Sequence, residues 1–83
     1  MEYYLKPSAI RNLKKLPRSV QRRIFEKLDF YTRSENPLRF AEFLGDKGLG
    51  DFRFRIGDYR AIFDIKHNKI IILKIGHRKD IYK

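Results

Sequence analysis

The stretch Phe52-Arg53-Phe54-Arg55-Ile56-Gly57-Asp58-Tyr59-Arg60 alternates apolar and guanidinium side chains and then turns. Successive strand residues point to opposite faces, so Phe52, Phe54 and Ile56 line one face while Arg53 and Arg55 line the other. Arg60, just past the turn, and Arg78, at the end of the last predicted strand, add two more permanent cations. His77 and Tyr82 stand close by in Gly76-His77-Arg78-Lys79-Asp80-Ile81-Tyr82. Arginines on a rigid sheet, with a histidine and a tyrosine at its end, suit a polyanion whose phosphate chemistry is to be catalysed. The expectation is an RNA site.

The elements that must carry these groups read as α+β. Glu2 to Leu5 is a short aromatic strand suited to a sheet edge. Pro7 opens a helix on which Ile10, Leu13 and Leu16 recur at i+3, and Pro17 ends it. A second helix is predicted from Ser19 to Tyr31, with Val20, Ile24, Leu28 and Tyr31 on one face and Phe25 beside them. Helices joined this tightly form a hairpin with its apolar faces toward the sheet. Thr32 to Asp51 is less regular: Asn36-Pro37 marks a turn, and Arg39 to Leu44 is either a short helical turn or an extended segment. Gly45, Gly48 and Gly50 give a flexible entry to the sheet. From Asp51 the pattern is strand, Gly57-Asp58 turn, strand, a Lys66 to Lys69 turn, and a β-branched strand to Ile75. That succession predicts an antiparallel meander. Tyr59, Phe63, Ile71, Leu73 and Ile75 are assigned to the core.

Eighty-three residues make one domain. Twenty Lys and Arg against ten Asp and Glu give a net charge of +10, which attracts polyanions and displaces their counterions. Lys6, Arg11, Lys14, Lys15, Arg18, Arg22 and Arg23 cluster on the predicted hairpin with no acid among them. They form either a solvated helix surface or a docking surface. Cysteine is absent, which excludes disulfides and thiolate metal sites. His67 and His77 lack a carboxylate cluster at ligand spacing, so neither a metal nor a cofactor is inferred. No apolar run approaches a membrane span, and no leader is evident; a cytoplasmic chain with no membrane partner is expected.

These residues resemble the RelE/ParE superfamily of toxins from type II toxin–antitoxin pairs. The likeness covers nearly the whole chain. It rests on Lys15-Leu16-Pro17 between two basic helices, on Arg-x-Arg-Ile-Gly-Asp-Tyr-Arg from Arg53 to Arg60, and on Gly76-His77-Arg78 followed by Tyr82. The resemblance implies an N-terminal strand and helical hairpin packed on a small antiparallel sheet, like compact microbial ribonucleases. It implies a RelB-like antitoxin as partner. For the RelE branch it implies a ribosome-dependent endoribonuclease, an mRNA interferase that cuts mRNA in the ribosomal A site by attack of the RNA's own 2′-hydroxyl.

Carried over by position, Arg53 and Arg55 match the pair of basic residues on the family's central strand. Arg60 matches the arginine of the Gly-x-Tyr-Arg turn, Arg78 the charge-stabilising arginine near the C-terminus, and Tyr82 the late tyrosine that stacks on a base or moves a proton. His77 sits where some branches place a catalytic histidine. On their charge rather than by family position, Lys14, Lys15, Arg18, Arg22 and Arg23 are assigned to RNA and ribosome binding. One departure bears on mechanism: the RelE branch carries lysines where this chain has Arg53 and Arg55, and arginine does not surrender its proton. The general base is therefore expected to be His77, with Tyr82 as the alternative. Other outcomes of the same resemblance are a ParE-like, non-enzymatic inhibitor of DNA gyrase and a catalytically inactive RNA-binding relative.

Overall fold

The computed structural model describes residues 1–45 and 49–82. The elements run β1 (Tyr3–Leu5), α1 (Pro7–Lys14), α2 (Arg18–Arg33), a 3-10 turn (Pro37–Phe40), β2 (Ala41–Phe43), β3 (Phe52–Ile56), β4 (Tyr59–Lys66) and β5 (Lys69–His77). All strands belong to one sheet in the order β1-β5-β4-β3-β2. The expected meander is present, and β2 extends it antiparallel along β3. β1, however, lies parallel to β5. The sheet is therefore mixed: β1 reaches β5 through both helices and the whole meander, a connection long enough to permit parallel pairing, whereas tight hairpins impose antiparallel pairing.

Both helices follow their apolar residues, with one change. In α1 the buried pair is Ala9 and Leu13, one turn apart, and Ile10 is exposed. Of the expected stripe, Leu13 is therefore buried and Leu16 packs against the core, while Ile10 gives its place to Ala9. α2 extends past its predicted ends and buries Ile24, Leu28 and Tyr31, leaving Phe25 at the exposed margin. Arg39 to Leu44 combines both predicted possibilities, since Phe40 closes the 3-10 turn and Ala41 opens β2.

One face of the sheet, formed by Phe54, Ile56, Ala61, Phe63, Ile70, Ile72 and Ile75, closes against Ala9, Leu13, Ile24, Leu28 and Tyr31. Burial of each large side chain contributes roughly 1.5–3 kcal/mol. Tyr31, Phe54 and Phe63 stack in series at 4.8 and 4.4 Å between centroids. The Tyr31 hydroxyl donates to the Arg55 carbonyl at 3.2 Å, so α2 holds β3 from behind.

Two turns set the register. Gly57 takes φ 60° between β3 and β4, and His67 and Asn68 take φ 52° and 63° between β4 and β5. The β4–β5 register then slips between Ile62 and Phe63: Phe63 faces Ile72, but Ile62 faces Lys74, leaving Leu73 as an extra residue. The backbone groups freed by this bulge are captured by α1. Ser8 Oγ donates to the Leu73 carbonyl at 2.6 Å, and the Ile75 N–H donates to Asn12 Oδ1 at 3.0 Å. Past the bulge, Ile75 joins the core face and Lys74 and Gly76 move to the opposite face.

That opposite face is partly covered by the β2–β3 connection, where Leu44 and Leu49 pack with Ile62 and Ile81. Of the residues assigned to the core, Phe63 and Ile75 are in it and Tyr59 packs at its margin. Ile71 and Leu73 are a correction: both are only partly buried, and alternation from Ile70 and Ile72 sends Ile71 to the second face, away from the helices. Gly45 and Gly50 take positive φ, while Gly48 lies outside the described residues. Among the described residues no helix is long and apolar enough to cross a membrane.

Candidate active site

Cross-strand register brings the predicted arginines together. Arg53 pairs with Ile62 on β4 and Glu42 on β2, and Arg55 pairs with Arg60. Directly paired residues share a face, so Glu42, Arg53, Arg55 and Arg60 all lie on the side away from the helices, with Lys74 and Gly76 beyond.

Arg53 is the centre of this face. Its guanidinium donates to Glu42 Oε2 at 3.0 Å through one Nη and to the Tyr82 hydroxyl through the other. Its carbon lies 5.8 Å from the Tyr82 ring centroid. The hydrogen bond to Glu42 and then that to Tyr82 raise its already high pKa, so Arg53 is a fixed cation. Arg55 reaches the same carboxylate, Nε to Oε1, at 3.5 Å while its side chain stays 61% exposed. Hydrogen bonding from Arg53 holds Glu42 below the usual carboxylate range, opposed by burial and aided by the charges of Arg53, Arg55 and Arg60.

Arg60 has a different environment. It is only 5% exposed and donates from one Nη to the carbonyls of Gly57 and Tyr59, both at 2.8 Å. It thus locks the β3–β4 turn. Burial, followed by the charges of Arg55 and Arg53, lowers its pKa. Its charge acts from beneath the face. Arg78 caps the same end: its N–H donates to the Asp58 carbonyl at 2.7 Å, and its Nε stands 3.8 Å from the Asp58 carboxylate. Both partners of that ion pair are more than half exposed, so it is weak.

His77 is not brought to this face. It pairs with Tyr59, its ring meets the Tyr59 ring edge-on at 5.4 Å, and its Nδ1 accepts the Lys79 N–H at 3.1 Å. Tyr59 belongs to the helix-packed face. The imidazole therefore lies across the sheet from Arg53 and Arg55, and the register does not bring it beside them as expected. Tyr82, the alternative, is the group in place.

Glu42 and Lys74 complete the face and escaped the sequence reading. Glu42 had only a slight signal, the three-residue alternation Ala41-Glu42-Phe43. Lys74 Nζ donates to the Ile81 carbonyl at 2.8 Å.

The hairpin cations Lys14, Lys15, Arg18, Arg22 and Arg23 are all exposed. The ion pairs among the described residues engage Arg33, Arg53, Arg55 and Arg78 and none of these five. Arg18 opens α2, whose first turn holds no acid. A cation there opposes the helix dipole by about 0.3–1 kcal/mol, so helix stability does not explain it. A concavity of about 470 Å³ lined by Glu26, Asp29, Phe30, Arg33 and Ser34 shares no residue with the arginine face.

Comparison with known proteins places this geometry in a family. The family model described as "ParE toxin of type II toxin-antitoxin system, parDE" matches residues 3–82. The chain is 36% identical over 78 residues to Toxin RelG of Mycobacterium tuberculosis, spanning 92% of this chain and 88% of that one. Its fold is similar to a chain of the RelBE2 toxin–antitoxin complex of the same organism, with TM-score 0.78, 32% identity and coverage of 93% and 96%. A chain of the archaeal RelE–RelB complex from Pyrococcus horikoshii matches with TM-score 0.72, 28% identity and coverage of 95% and 96%.

Proposed function

This chain belongs to the ParE toxin family of type II toxin–antitoxin systems, and we propose that within it the chain acts as an endoribonuclease that cleaves mRNA in the ribosomal A site and so stops translation. The observation that carries this reading is the convergence of Arg53, Arg55, Arg60 and Tyr82 on one sheet face, where Glu42 pairs with Arg53 and Arg55 and Tyr82 with Arg53.

In the proposed reaction the RNA's 2′-hydroxyl oxygen attacks the adjacent phosphorus and the bond to the 5′-oxygen breaks. A 2′,3′-cyclic phosphate and a 5′-hydroxyl result; the proton lost at O2′ is balanced by the one gained at O5′. The exposed guanidinium groups of Arg55 and Arg78 meet the phosphate, whose charge grows toward the transition state. Arg53 and Arg60 supply fixed positive potential behind them. Tyr82, held against Arg53, presents its ring and hydroxyl to a base or to the 2′ oxygen. With two arginines in place of ionisable lysines, the protein contributes chiefly orientation and charge. Lys14, Lys15, Arg18, Arg22 and Arg23 dock ribosomal RNA. A RelB-like antitoxin is the cognate partner, as in the complexes whose toxin chains this fold matches.

The match to a ParE model favours a second reading, non-enzymatic inhibition of DNA gyrase. Cleavage assays with programmed ribosomes and with free RNA, run beside a gyrase supercoiling assay, separate the two. Cleavage lost on the order of a hundredfold in Arg78→Ala, the scale of a removed transition-state donor, supports the nuclease. Intact RNA together with blocked supercoiling would replace it with the gyrase reading.

A further inference from the structure

The turn that follows β5 buries one side chain, Ile81, against the arginine face. Ile81 is 1% exposed and packs with Leu44, Leu49 and Ile62, while its neighbours Asp80 and Tyr82 stay exposed. It sits over Gly76, where an added Cβ would come within 3.2 Å of Ile81 Cδ1 and 3.9 Å of its Cα. A side chain at position 76 would press on the Ile81 side chain, which would have to give by a few tenths of an ångström. Lys74 closes the seat by donating from Nζ to the Ile81 carbonyl, and the Ile81 N–H donates to the His77 carbonyl at 3.0 Å. Lys74 and Gly76 face this side only because of the bulge at Leu73, which Ser8 and Asn12 hold from the other side of the sheet.

We propose that Ile81 is a positioning residue: seated on Gly76 and clamped by Lys74, it holds Tyr82 against Arg53 and so sets the geometry of the reacting face. The proposal rests on the nuclease reading for its kinetic consequence, but the placement itself is independent of activity. Tyr82 is 43% exposed and meets Arg53 through both its hydroxyl and its ring. A ring placed by a neighbour's burial loses its place when that neighbour is truncated. A displacement of about 1 Å can cost up to a hundredfold in rate.

The test has a structural and a kinetic arm. With ¹⁵N-labelled arginine, the Arg53 side-chain resonance, assigned by Arg53→Lys, should shift when Tyr82→Ala removes the ring and hydroxyl beside it. Ile81→Ala should reproduce that shift, Ile81→Leu should restore the wild-type position, and Ile24→Val, a core truncation on the helix side, should leave it in place. Gly76→Ala should give a partial shift, and it serves where Ile81→Ala does not fold. In single-turnover cleavage on programmed ribosomes, Ile81→Ala should lose about tenfold or more and cost nothing further in a Tyr82→Ala background. An Arg53 signal that does not move in Ile81→Ala or Gly76→Ala overturns the proposal, as does an equal rate loss with and without Tyr82. Absence of cleavage by the wild type would defeat the nuclease reading alone, and the resonances would still decide the placement.

Discussion

Glu42→Gln probes what a lone carboxylate does among arginines. Glu42 accepts from Arg53 at 3.0 Å and approaches Arg55 at 3.5 Å, so it both aligns the two guanidinium groups and cancels one of their charges. The amide keeps the volume and removes the charge. A phosphate about 6 Å away then feels one more uncompensated cation, worth roughly 0.7–2.8 kcal/mol between dielectric constants of 80 and 20. Screening at about 0.1 M salt favours the low end, so RNA should bind about threefold to tenfold tighter. The plot of log affinity against log salt should steepen by about 0.7 for the added phosphate contact. Turnover should move the other way, because Arg53 and Arg55 lose their shared tether; a loss of about tenfold is expected for such misalignment. Filter binding across a salt series, with saturating single-turnover rates, reads both. Acid should mimic the mutation. Arg53 depresses the Glu42 pKa in the folded protein, so the alignment is fully present above the ordinary value of 4.5 and is lost as pH falls through the depressed one. Weaker binding in Glu42→Gln would refute the counter-ion role. A rate loss with unchanged affinity and an abolished acid limb would make Glu42 the proton acceptor instead.

His77→Gln should leave the single-turnover rate and its pH profile nearly unchanged, because the imidazole lies across the sheet beside Tyr59; a loss near the hundredfold scale of a positioned base would return it to the chemistry. Replacing Lys14, Arg18 and Arg22 by Ala should weaken ribosome and RNA binding and flatten the salt plot by about 0.7 for each phosphate no longer neutralised. Thermal unfolding of Arg18→Ala should show no loss of stability, since no acid in the first turn of α2 partners that cation. Tyr3 donates to Asp29 at 3.0 Å, and burial followed by that hydrogen bond raises its pKa from 10.0 to about 12. Its folded pKa is the higher one, so its stabilisation is complete below pH 10.0 and disappears as pH rises toward about 12; denaturant midpoints across that range should fall in the wild type and stay flatter in Tyr3→Phe.

The sequence made the sheet legible wherever period-two alternation ran unbroken. Phe52, Phe54 and Ile56 against Arg53 and Arg55 fixed which face of β3 carries charge, and the glycine turn then placed Arg60 opposite Arg55. The helices were legible from their i, i+3 and i+4 spacing, except that a helix as short as α1 offers too few residues to tell whether Ala9 or Ile10 joins Leu13 at the core. Two things were not legible. Parallel pairing of β1 depends on tertiary docking, which no local pattern encodes. The β2 strand is three residues long, too short for its alternation to stand out, and Glu42 was missed with it.

The misplacement of His77 has a single physical cause. Continued without interruption from the Phe63–Ile72 pair, the β4–β5 register would set Ala61 against Lys74 and carry His77 to the face of Arg53 and Arg55. It would also bury Lys74 in the helix-packed core, at a cost of several kcal/mol for an unpaired ammonium. The bulge at Leu73 avoids that cost: it turns Lys74 outward, gives its core position to Ile75, and moves His77 to the other face with the rest of the strand. A trace of this was present in the spacing. Ile70 and Ile72 call for an apolar residue at position 74, the chain has lysine there, and the isoleucine appears one residue late. What the spacing lacked was the pair of α1 side chains, Ser8 and Asn12, that accommodate the extra residue's backbone groups. The phase slip that spares a lysine from the core is thus also the event that removes a histidine from the arginine face and leaves Tyr82 beside Arg53.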